Sequence, residues 1–355
     1  MIVFKNIYWS MPFGLLCVKR SIILSAIILI CSNINAQDVH FSQFFNAPLS
    51  INPAQTGNID GNIRAVLNHR NQWNSISIPF VTSSASFDSK LFEDRLKGDA
   101  IGLGIELFND KVGAGRLNNF QMMLNTSYQK NIGSQNKQSI TIGLKAGFFQ
   151  RKIDFTKLTF ANQYLDGDFN TNIPSGENTL KYKISNFDIS TGILYKLQTQ
   201  NDIIINGGFS VFHLTRPNES LTGGIARIPS RYLFHLESIF ILNQSTNFEP
   251  ALIYMSQNKA KELNFGGKFD HVLSTLKYGL INLNFGAFYR TSDAFILLTG
   301  VKYQNWNVCL TYDMNTSKLH PASNYKGGFE LSIIYVNKII PGKNNLPVLL
   351  PCIRL

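Results

Sequence analysis

Apolar and polar residues alternate with a period of two along most of this chain. In QSITIGLKAGFF (138–149) the even positions from Ile140 to Phe148 are apolar, and the odd positions from Ser139 to Gly147 are polar or small. The stretches AIGLGIELF, NNFQMMLNTSY and GLINLNFGAFYR repeat the pattern. A period of two predicts strands with one apolar face, and no helical stretch of any length is predicted between them.

About fourteen segments carry this pattern, and most span 9 to 15 residues. Such lengths exceed the roughly 5 to 6 residues usual in globular proteins and suit tilted strands that cross an outer membrane. Glycines at the polar positions, such as Gly143, are typical of a crowded lumen. The pattern therefore predicts an all-β fold, a transmembrane antiparallel β-barrel of about 14 strands. The predicted strands lie near 63–70, 80–90, 100–109, 117–131, 137–151, 182–197, 202–214, 229–243, 245–257, 261–272, 278–290, 294–304, 306–314 and 325–337.

The predicted connections differ in length according to parity. Connections expected in the periplasm are short, and those expected outside are mostly long, which is typical of outer-membrane barrels. The short ones are 131–137, 198–201, 243–246 and one near 304–305, and the outer ones are 71–79, 110–116, 152–181, 215–228 and 315–324.

The first 36 residues have the features of a secretory signal peptide. They hold three basic residues and no acidic one, and an apolar run at 22–31 is followed by a small residue, Ala36. The run is shorter than the roughly 18 to 20 residues that span a bilayer. We therefore expect a signal peptide at 1–36, an N-terminal plug or periplasmic segment at 37–61, a barrel at 62–337 and a periplasmic tail at 338–355.

Composition narrows the functional classes. The 33 basic and 22 acidic residues are spread along the chain, which argues against a nucleic-acid partner. Charged residues make up 15% of the chain, below the roughly 25% of soluble domains. Cys309 and Cys352 would remain after cleavage, and one disulfide or two free thiols are both compatible with the sequence. No cofactor or metal is expected.

The segment FSQFFNAPLSINPAQTG (41–57) precedes the first predicted strand and carries no charge. Pro53 sets φ and Gly57 permits a positive φ, which is ordinary turn chemistry. The segment is expected to pack in the lumen, to cap the periplasmic mouth, or to contact a partner.

This opening resembles the PorP/SprF family of type IX secretion outer-membrane proteins. The resemblance continues through RNQW (70–73), Phe87-Asp88, GLGIELFNDKVG (102–113) and YDMNTSKLHPASNYKGGFELSIIY (312–335), and it covers essentially the whole mature chain. The terminal PCIRL departs from the tail that members often carry. The resemblance marks these family-motif or partner-contact candidates: Phe41, Ser42, Gln43, Asn52, Pro53, Gly57, Arg70, Trp73, Asp88, Asp110, Tyr312, Asp313, Asn315, Ser317, Lys318, Pro321, Asn324, Gly328 and Glu330.

The resemblance implies a component of the type IX secretion and gliding machinery that assists export or surface attachment of specific cargo, such as large adhesins. Implied partners are a cargo protein with a C-terminal sorting domain, other periplasmic and outer-membrane components of the machinery, and outer-membrane lipid. Under this interpretation the long loops meet cargo through Phe155, Phe160, Tyr164 and Phe169, or these residues pack together as a lid. No enzymatic activity is expected.

The residues leave three other interpretations open. A channel for small or hydrophobic solutes would be lined by Arg64, Asn68, Glu106, Lys145, Asn282 and Arg290, although any barrel interior needs such residues. DGDFNTNIPSGE (166–177) has oxygen ligands at calcium-loop spacing, but it lacks the turn glycine and flanking helices, so an ordinary polar loop is favoured. Asp313 and Lys318 are placed to pair across a turn.

Overall fold

The computed structural model describes residues 38–337, apart from 94, 97, 133–136, 166, 178–180, 200–202, 277–278 and 319. For residues 274–276, 279, 280 and 320 it describes the backbone. The predicted signal peptide, the predicted tail at 338–355, and Cys352 lie outside the described residues.

Fourteen antiparallel strands form a closed barrel. Strands next to each other in the chain are paired, the fifth pairs with the eighth, and the first pairs with the last to close the barrel. The sixth and seventh strands form a separate two-stranded hairpin. The strands are β1 (Ile63–Gln72), β2 (Phe80–Leu91), β3 (Ala100–Val112), β4 (Leu117–Ile132), β5 (Gln138–Lys152), β6 (Tyr164–Leu165), β7 (Asp168–Phe169), β8 (Lys183–Gln198), β9 (Ile204–Phe212), β10 (Arg231–Asn243), β11 (Thr246–Gln257), β12 (Ala260–Leu276), β13 (Gly279–Arg290), β14 (Ala294–Tyr303), β15 (Trp306–Asn315) and β16 (Lys326–Asn337). The predicted all-β fold class and strand number are confirmed.

Among the described residues, helical structure is limited to single turns. The described helices are α1 (Pro48–Ile51) and α2 (His320–Ser323), with 3₁₀ turns at Phe44–Asn46, Pro53–Gln55, Phe155–Lys157 and Ala161–Gln163. Within the described part of the chain, no helix is both long and apolar enough to cross a membrane.

The predicted alternation separates an apolar outer surface from a polar interior. In β5, Ile142 and Leu144 are 60% and 48% exposed, whereas Thr141 and Lys145 are only 3% and 6% exposed. Successive side chains of a strand point to opposite faces, so the exposed apolar set lies outside and the buried polar set lies inside. An apolar outer band around a polar interior suits an outer-membrane barrel.

The two ends of the barrel carry different connections. One end, here called the short-turn end, has the turns 244–245 and 304–305, and β1 begins and β16 ends there. The opposite end, here called the long-loop end, carries the connections 153–182 and 213–230. The predicted difference in loop length is thus present, although the 258–259 turn at the long-loop end is also short.

One side of the interior is apolar. Inward residues of β9, β10, β11, β13 and β14 form a hydrophobic cluster with Phe44 and Ile51, which lie ahead of the first strand. The remaining interior is lined mostly by polar and charged side chains. The barrel members of the apolar cluster are Phe212, Leu233, Ile253, Met255, Phe288, Ala294, Ile296 and Leu298.

Candidate functional site

Residues 38–57, here called the luminal segment, run through the inside of the barrel. At one end, the backbone N–H of Asp38 donates to Oε1 of Gln257, the last residue of β11, over 2.8 Å. At the other, the N–H of Gly57 donates to Oδ2 of Asp88, near the end of β2, over 2.8 Å. Since β11 ends at the long-loop end and β2 ends at the short-turn end, the segment spans the lumen between them.

Turn chemistry shapes the luminal segment. Pro48 begins α1 and Pro53 begins the following 3₁₀ turn, positions at which the missing N–H of proline has no cost. The Asn52 side chain accepts a 2.9 Å hydrogen bond from the N–H of Ala54 and so caps that turn. Gly57 ends the segment with a φ of +72°.

Lumen side chains satisfy backbone carbonyls that the luminal segment leaves open. Ser210 Oγ donates to the carbonyl of Ile51 over 2.6 Å, and Ser127 Oγ donates to the carbonyl of Thr56 over 2.6 Å. Lys145, which also pairs with Glu106, donates to the carbonyl of Leu49 over 3.2 Å. Side chains of the barrel thus supply the donors that these buried backbone carbonyls need.

Four charged side chains, from β1, β13, β15 and β16, form a buried group, here called the Arg70–Arg290 cluster. It comprises Arg70, Arg290, Asp313 and Glu330, whose side chains are at most 4% exposed. Asp313 Oδ2 lies 2.9 Å from Arg70 Nη2 and 2.7 Å from Arg290 Nη2. Glu330 Oε2 lies 3.8 Å from Arg70 Nε. Two cations face two carboxylates, which a water-poor interior requires.

The FSQ motif completes this cluster. The backbone N–H groups of Ser42 and Gln43 donate to the two carboxylate oxygens of Glu330 over 2.8 and 2.9 Å. Ser42 Oγ donates to Asp313 Oδ2 over 2.7 Å and accepts from Arg290 Nη1 over 3.1 Å. Phe41 packs edge-on against Phe108, with ring centroids 5.9 Å apart. Six of the candidate residues are therefore brought together: Phe41, Ser42, Gln43, Arg70, Asp313 and Glu330.

A second group of charges holds the other end of the luminal segment. Arg64 donates to both oxygens of Asp88, from Nε over 2.9 Å and from Nη2 over 2.8 Å. The same Nη2 donates to the carbonyl of Gln55 over 2.9 Å. Asp88 therefore connects the luminal segment, through Gly57, to the start of β1.

Asn52 holds the middle of the luminal segment against β8 and β10. Its Nδ2 lies 3.1 Å from Nε2 of His235 and donates to the carbonyl of Ile193 over 3.0 Å. The approach is so close that a Cβ on Gly192 would lie 2.0 Å from Asn52 Oδ1.

Five candidates lie at or beyond the end of β15. Asn315 Oδ1 accepts from Ser317 N over 2.9 Å and from Ser317 Oγ over 2.6 Å, which orders the start of the 316–325 connection. Lys318, Pro321 and Asn324 are exposed in that connection. The expected pair of Asp313 and Lys318 is not formed, because Asp313 faces the lumen and bonds to the two arginines.

The remaining candidates are dispersed. Trp73 follows β1 and packs against Phe80 with ring centroids 4.7 Å apart. Asp110 is buried and accepts from Thr82 Oγ1 over 2.7 Å. Tyr312 is 43% exposed on the outer surface, and Gly328 is buried opposite Gln72. Of the remaining luminal candidates, Pro53 is buried in its 3₁₀ turn.

Asp38 is held by a group of charged side chains that the sequence did not indicate. Its contacts with His213 and Arg231, together with the contact of His213 with Asp188, are here called the amino-terminal clamp. His213 lies just after β9 and bonds through Nε2 to Asp38 over 2.7 Å and through Nδ1 to Asp188 over 2.6 Å. Burial by itself would lower the pKa of His213, but hydrogen bonds to Asp188 and Asp38 outweigh it and raise the pKa to about 9. Arg231 Nε lies 3.7 Å from Asp38 Oδ2. The partners are 25 and 175 residues from His213, so no local motif reveals them.

The described residues of the connections 153–182 and 213–230 are mostly exposed and are here called the long-loop face. Tyr164 and Phe169 are 55% and 46% exposed and pack edge-on with ring centroids 5.0 Å apart. Phe155 and Phe160 are partly buried. The loops are joined by the N–H of Lys181, which donates to the carbonyl of Leu221 over 2.7 Å.

The calcium-loop candidate is only partly described, because Asp166 lies outside the described residues. Asp168 Oδ1 accepts from the N–H of Phe169 over 2.7 Å, and Asn170 Oδ1 accepts from the N–H of Asn172 over 3.0 Å. These are local turn contacts. Across the described ranges, no group of three His, Cys, Asp or Glu residues is placed to hold a metal ion.

Comparisons with known proteins agree with the sequence motifs. The family model of type IX secretion system membrane proteins PorP/SprF matches residues 33–335. Among solved structures, the chain is similar to the CymD monoaromatic hydrocarbon channel, with 11% identity, 83% of this chain and 93% of that chain covered, and a TM-score of 0.47. A Pseudomonas aeruginosa FadL homologue shares 11% identity over 80% of this chain and 92% of its own, with a TM-score of 0.45. No curated protein matches the chain.

Proposed function

Because the chain belongs to the PorP/SprF family of type IX secretion system membrane proteins, we propose that it assists export or surface attachment of particular cargo proteins. Its closed barrel with an apolar outer surface lies in the outer membrane. The cargo would be a secreted protein with a C-terminal sorting domain, such as a large adhesin.

The observation that carries this proposal is the filled barrel. The luminal segment is bonded to β2, β8, β9 and β16, so among the described residues it occupies the lumen that an unfolded chain would have to cross. Cargo would therefore meet the protein at a mouth of the barrel. The long-loop face carries the exposed side chains of Tyr164, Phe169 and Ile225, an apolar surface that cargo could contact there.

The two ends of the barrel would have different partners. Short turns face the periplasm in outer-membrane barrels, so we assign the short-turn end to the periplasmic components of the secretion machinery.

Deleting the gene tests the proposal directly. Quantitative mass spectrometry would compare surface and secreted proteins of the deletion strain with those of its parent. Selective loss of one or a few large proteins bearing a sorting domain is the expected result. Broad loss of sorted proteins would indicate a general component, and an unchanged set of surface proteins would contradict the proposal.

A matched pair of variants tests the long-loop face. Tyr164→Ala/Phe169→Ala removes two exposed aromatic rings from it, and Phe92→Ala/Leu96→Ala removes two exposed apolar side chains from the short-turn end. Only the first variant should reduce cargo display, at unchanged barrel abundance. Equal display in both variants would exclude this surface as the cargo site.

A channel for small hydrophobic solutes is the second candidate function. It is favoured by the apolar cluster that lines the interior of β9, β10, β11, β13 and β14 and contacts Phe44 and Ile51 of the luminal segment. Withdrawal of the segment would open an apolar path. The measurement is uptake of a hydrophobic solute into liposomes that contain the barrel. Uptake that occurs only when the luminal segment is withdrawn would support a channel. No uptake would argue against a channel and favour the secretion role.

A further inference from the structure

Three lysines and one asparagine form a row across the outer surface at the long-loop end of β3, β4, β5 and β8. The strand register places Lys111 opposite Asn118, Asn118 opposite Lys152, and Lys152 opposite Lys183. Each of these four residues is an even number of positions along its strand from an exposed apolar residue that points outward. The four side chains therefore point outward as well.

This lysine row lies just beyond the apolar band. Four residues along each strand from the row are Leu107, Met122, Phe148 and Phe187, which are 38%, 41%, 63% and 51% exposed. Four residues correspond to about 13 Å along a strand. Of the four positions between the two rows, Asn109, Gln150 and Ser185 are polar and Phe120 is apolar. This order places the lysines in the polar headgroup layer that flanks the hydrocarbon core.

Protein groups leave most of this charge without compensation. Among the ion pairs of the described residues, none involves Lys111, Lys152 or Lys183. Lys152 and Lys183 lie directly opposite each other on β5 and β8, and like charges at such positions are destabilising. The pKa of Asp154 is lowered, chiefly by a hydrogen bond from Thr156 and also by the positive charges of Lys157 and Lys152. The negative charge of Asp154 therefore offsets part of the positive charge of the row.

The arginine next to the row behaves differently. Arg151 Nη1 lies 2.5 Å from Glu219 Oε2, so it has an acidic partner within the protein. Arg151 is one residue from Lys152 and therefore faces the opposite side of the strand, so Glu219 does not compensate the outward lysines.

An open cleft of about 430 Å³ adjoins the row, lined by Lys181, Tyr182, Lys183 and Ser185. Tyr182 is 66% exposed. Ammonium groups and a hydroxyl are suitable donors to phosphate oxygens, and tyrosine is common at the membrane interface.

We propose that Lys111, Lys152, Lys181 and Lys183 bind the phosphate groups of an anionic glycolipid in the leaflet around the long-loop end. The acyl chains of this lipid contact the apolar band that includes Phe148 and Phe187. The inference does not depend on the cargo role, because Lys111, Lys152 and Lys183 lie on the outer wall of the barrel and only Lys181 belongs to the long-loop face.

The test uses the full mature chain in nanodiscs of phosphatidylethanolamine that contain either bis-phosphorylated lipid A or the same lipid after removal of both phosphates. Native mass spectrometry measures how much of each lipid stays bound. The row variant is Lys111→Gln/Lys152→Gln/Lys183→Gln. The charge-matched control is Lys157→Gln/Lys259→Gln/Lys318→Gln, which removes three exposed lysines of the connections.

The parent and the control should prefer the phosphorylated lipid, and the row variant should lose at least about tenfold of that preference, since each basic residue near a charged membrane surface contributes appreciably. An equal preference in the row variant and the control would overturn the proposal, as would equal binding of both lipids by the parent. Heat-dependent electrophoretic migration checks that each barrel is folded. If the row variant does not fold, Lys183→Gln by itself should weaken the preference about fivefold, and no change would again overturn it.

Discussion

At the scale of single residues, the two acidic partners of Arg290 differ in burial. Asp313 is 4% exposed and lies 2.7 Å from Arg290 Nη2, whereas Asp293 is 45% exposed and lies 2.6 Å from Arg290 Nε. Breaking a buried ion pair leaves an uncompensated charge, but an exposed pair contributes little.

Asp313→Asn is therefore expected to lower the free energy of unfolding by about 3 to 5 kcal/mol. Asp293→Asn is the control and should change it by at most about 1 kcal/mol. Denaturant unfolding of the barrel in detergent, followed by tryptophan fluorescence, measures both. Similar effects of the two substitutions would contradict the importance of the Arg70–Arg290 cluster.

The amino-terminal clamp should weaken at alkaline pH. The pKa of His213 is raised to about 9 from its ordinary 6.5, so its stabilising contribution is fully present below 6.5 and is lost as pH rises through about 9. The pKa of Asp38 is lowered: burial opposes this, but His213 and Arg231 outweigh it. Its contribution is therefore lost only as pH falls below the ordinary value of 3.8.

Amide hydrogen exchange at 38–41, corrected for the intrinsic effect of pH, should accelerate between about pH 6.5 and 9 in the parent chain. His213→Gln should exchange quickly at every pH and should lack this transition. If His213→Gln showed the same acceleration between these pH values as the parent chain, the transition would be caused by a group other than His213.

At the scale of elements, the luminal segment and the strands fit each other through glycines. A Cβ on Gly143 of β5 would lie 2.2 Å from the backbone N of Ala54, whereas a Cβ on Gly207 of β9 would meet only Leu236 Cδ1 at 3.5 Å. The first substitution must displace the segment, and the second has room.

Gly143→Ala is expected to weaken the packing of the luminal segment by about 1 to 3 kcal/mol, the usual cost of overpacking. Exchange of the amides at 48–57 should then be at least about fivefold faster, with β-sheet content unchanged. Gly207→Ala is the control and should exchange like the parent. Unchanged exchange in Gly143→Ala would contradict the close approach.

The strands could be predicted from the sequence almost to their ends, whereas the role of the luminal segment could not. The alternation in 138–149 is a local signal, because neighbouring residues of one strand point to opposite faces and so reveal the strand without reference to the rest of the chain. The FSQ stretch at 41–43 has no such period. Its motif residues acquire a role only where Ser42 and Gln43 meet Glu330, which is 288 and 287 residues away.

At the scale of the whole molecule, the loop lengths predict which end faces the outside. In a Cys352→Ser background, Tyr164→Cys on the long-loop face should react with a membrane-impermeant maleimide on intact cells. Asn305→Cys, in a short turn, should react only after the outer membrane is permeabilised. Both positions are exposed, Cys309 is buried, and Cys17 and Cys31 belong to the predicted signal peptide. Labelling of Asn305→Cys on intact cells would reverse the assigned orientation.

The sequence by itself determined the barrel, the number of strands, the difference between the two ends and the family. Each of these rests on a period of two, on connection lengths, or on motifs that are contiguous in the chain. Only the tertiary structure decided that residues 38–57 fill the lumen, that Arg70 pairs with Asp313, and that the lysines of β3, β5 and β8 are aligned. Those contacts join residues up to 288 positions apart, and they depend on the register and closure of the sheet, which alternation along a single strand does not specify.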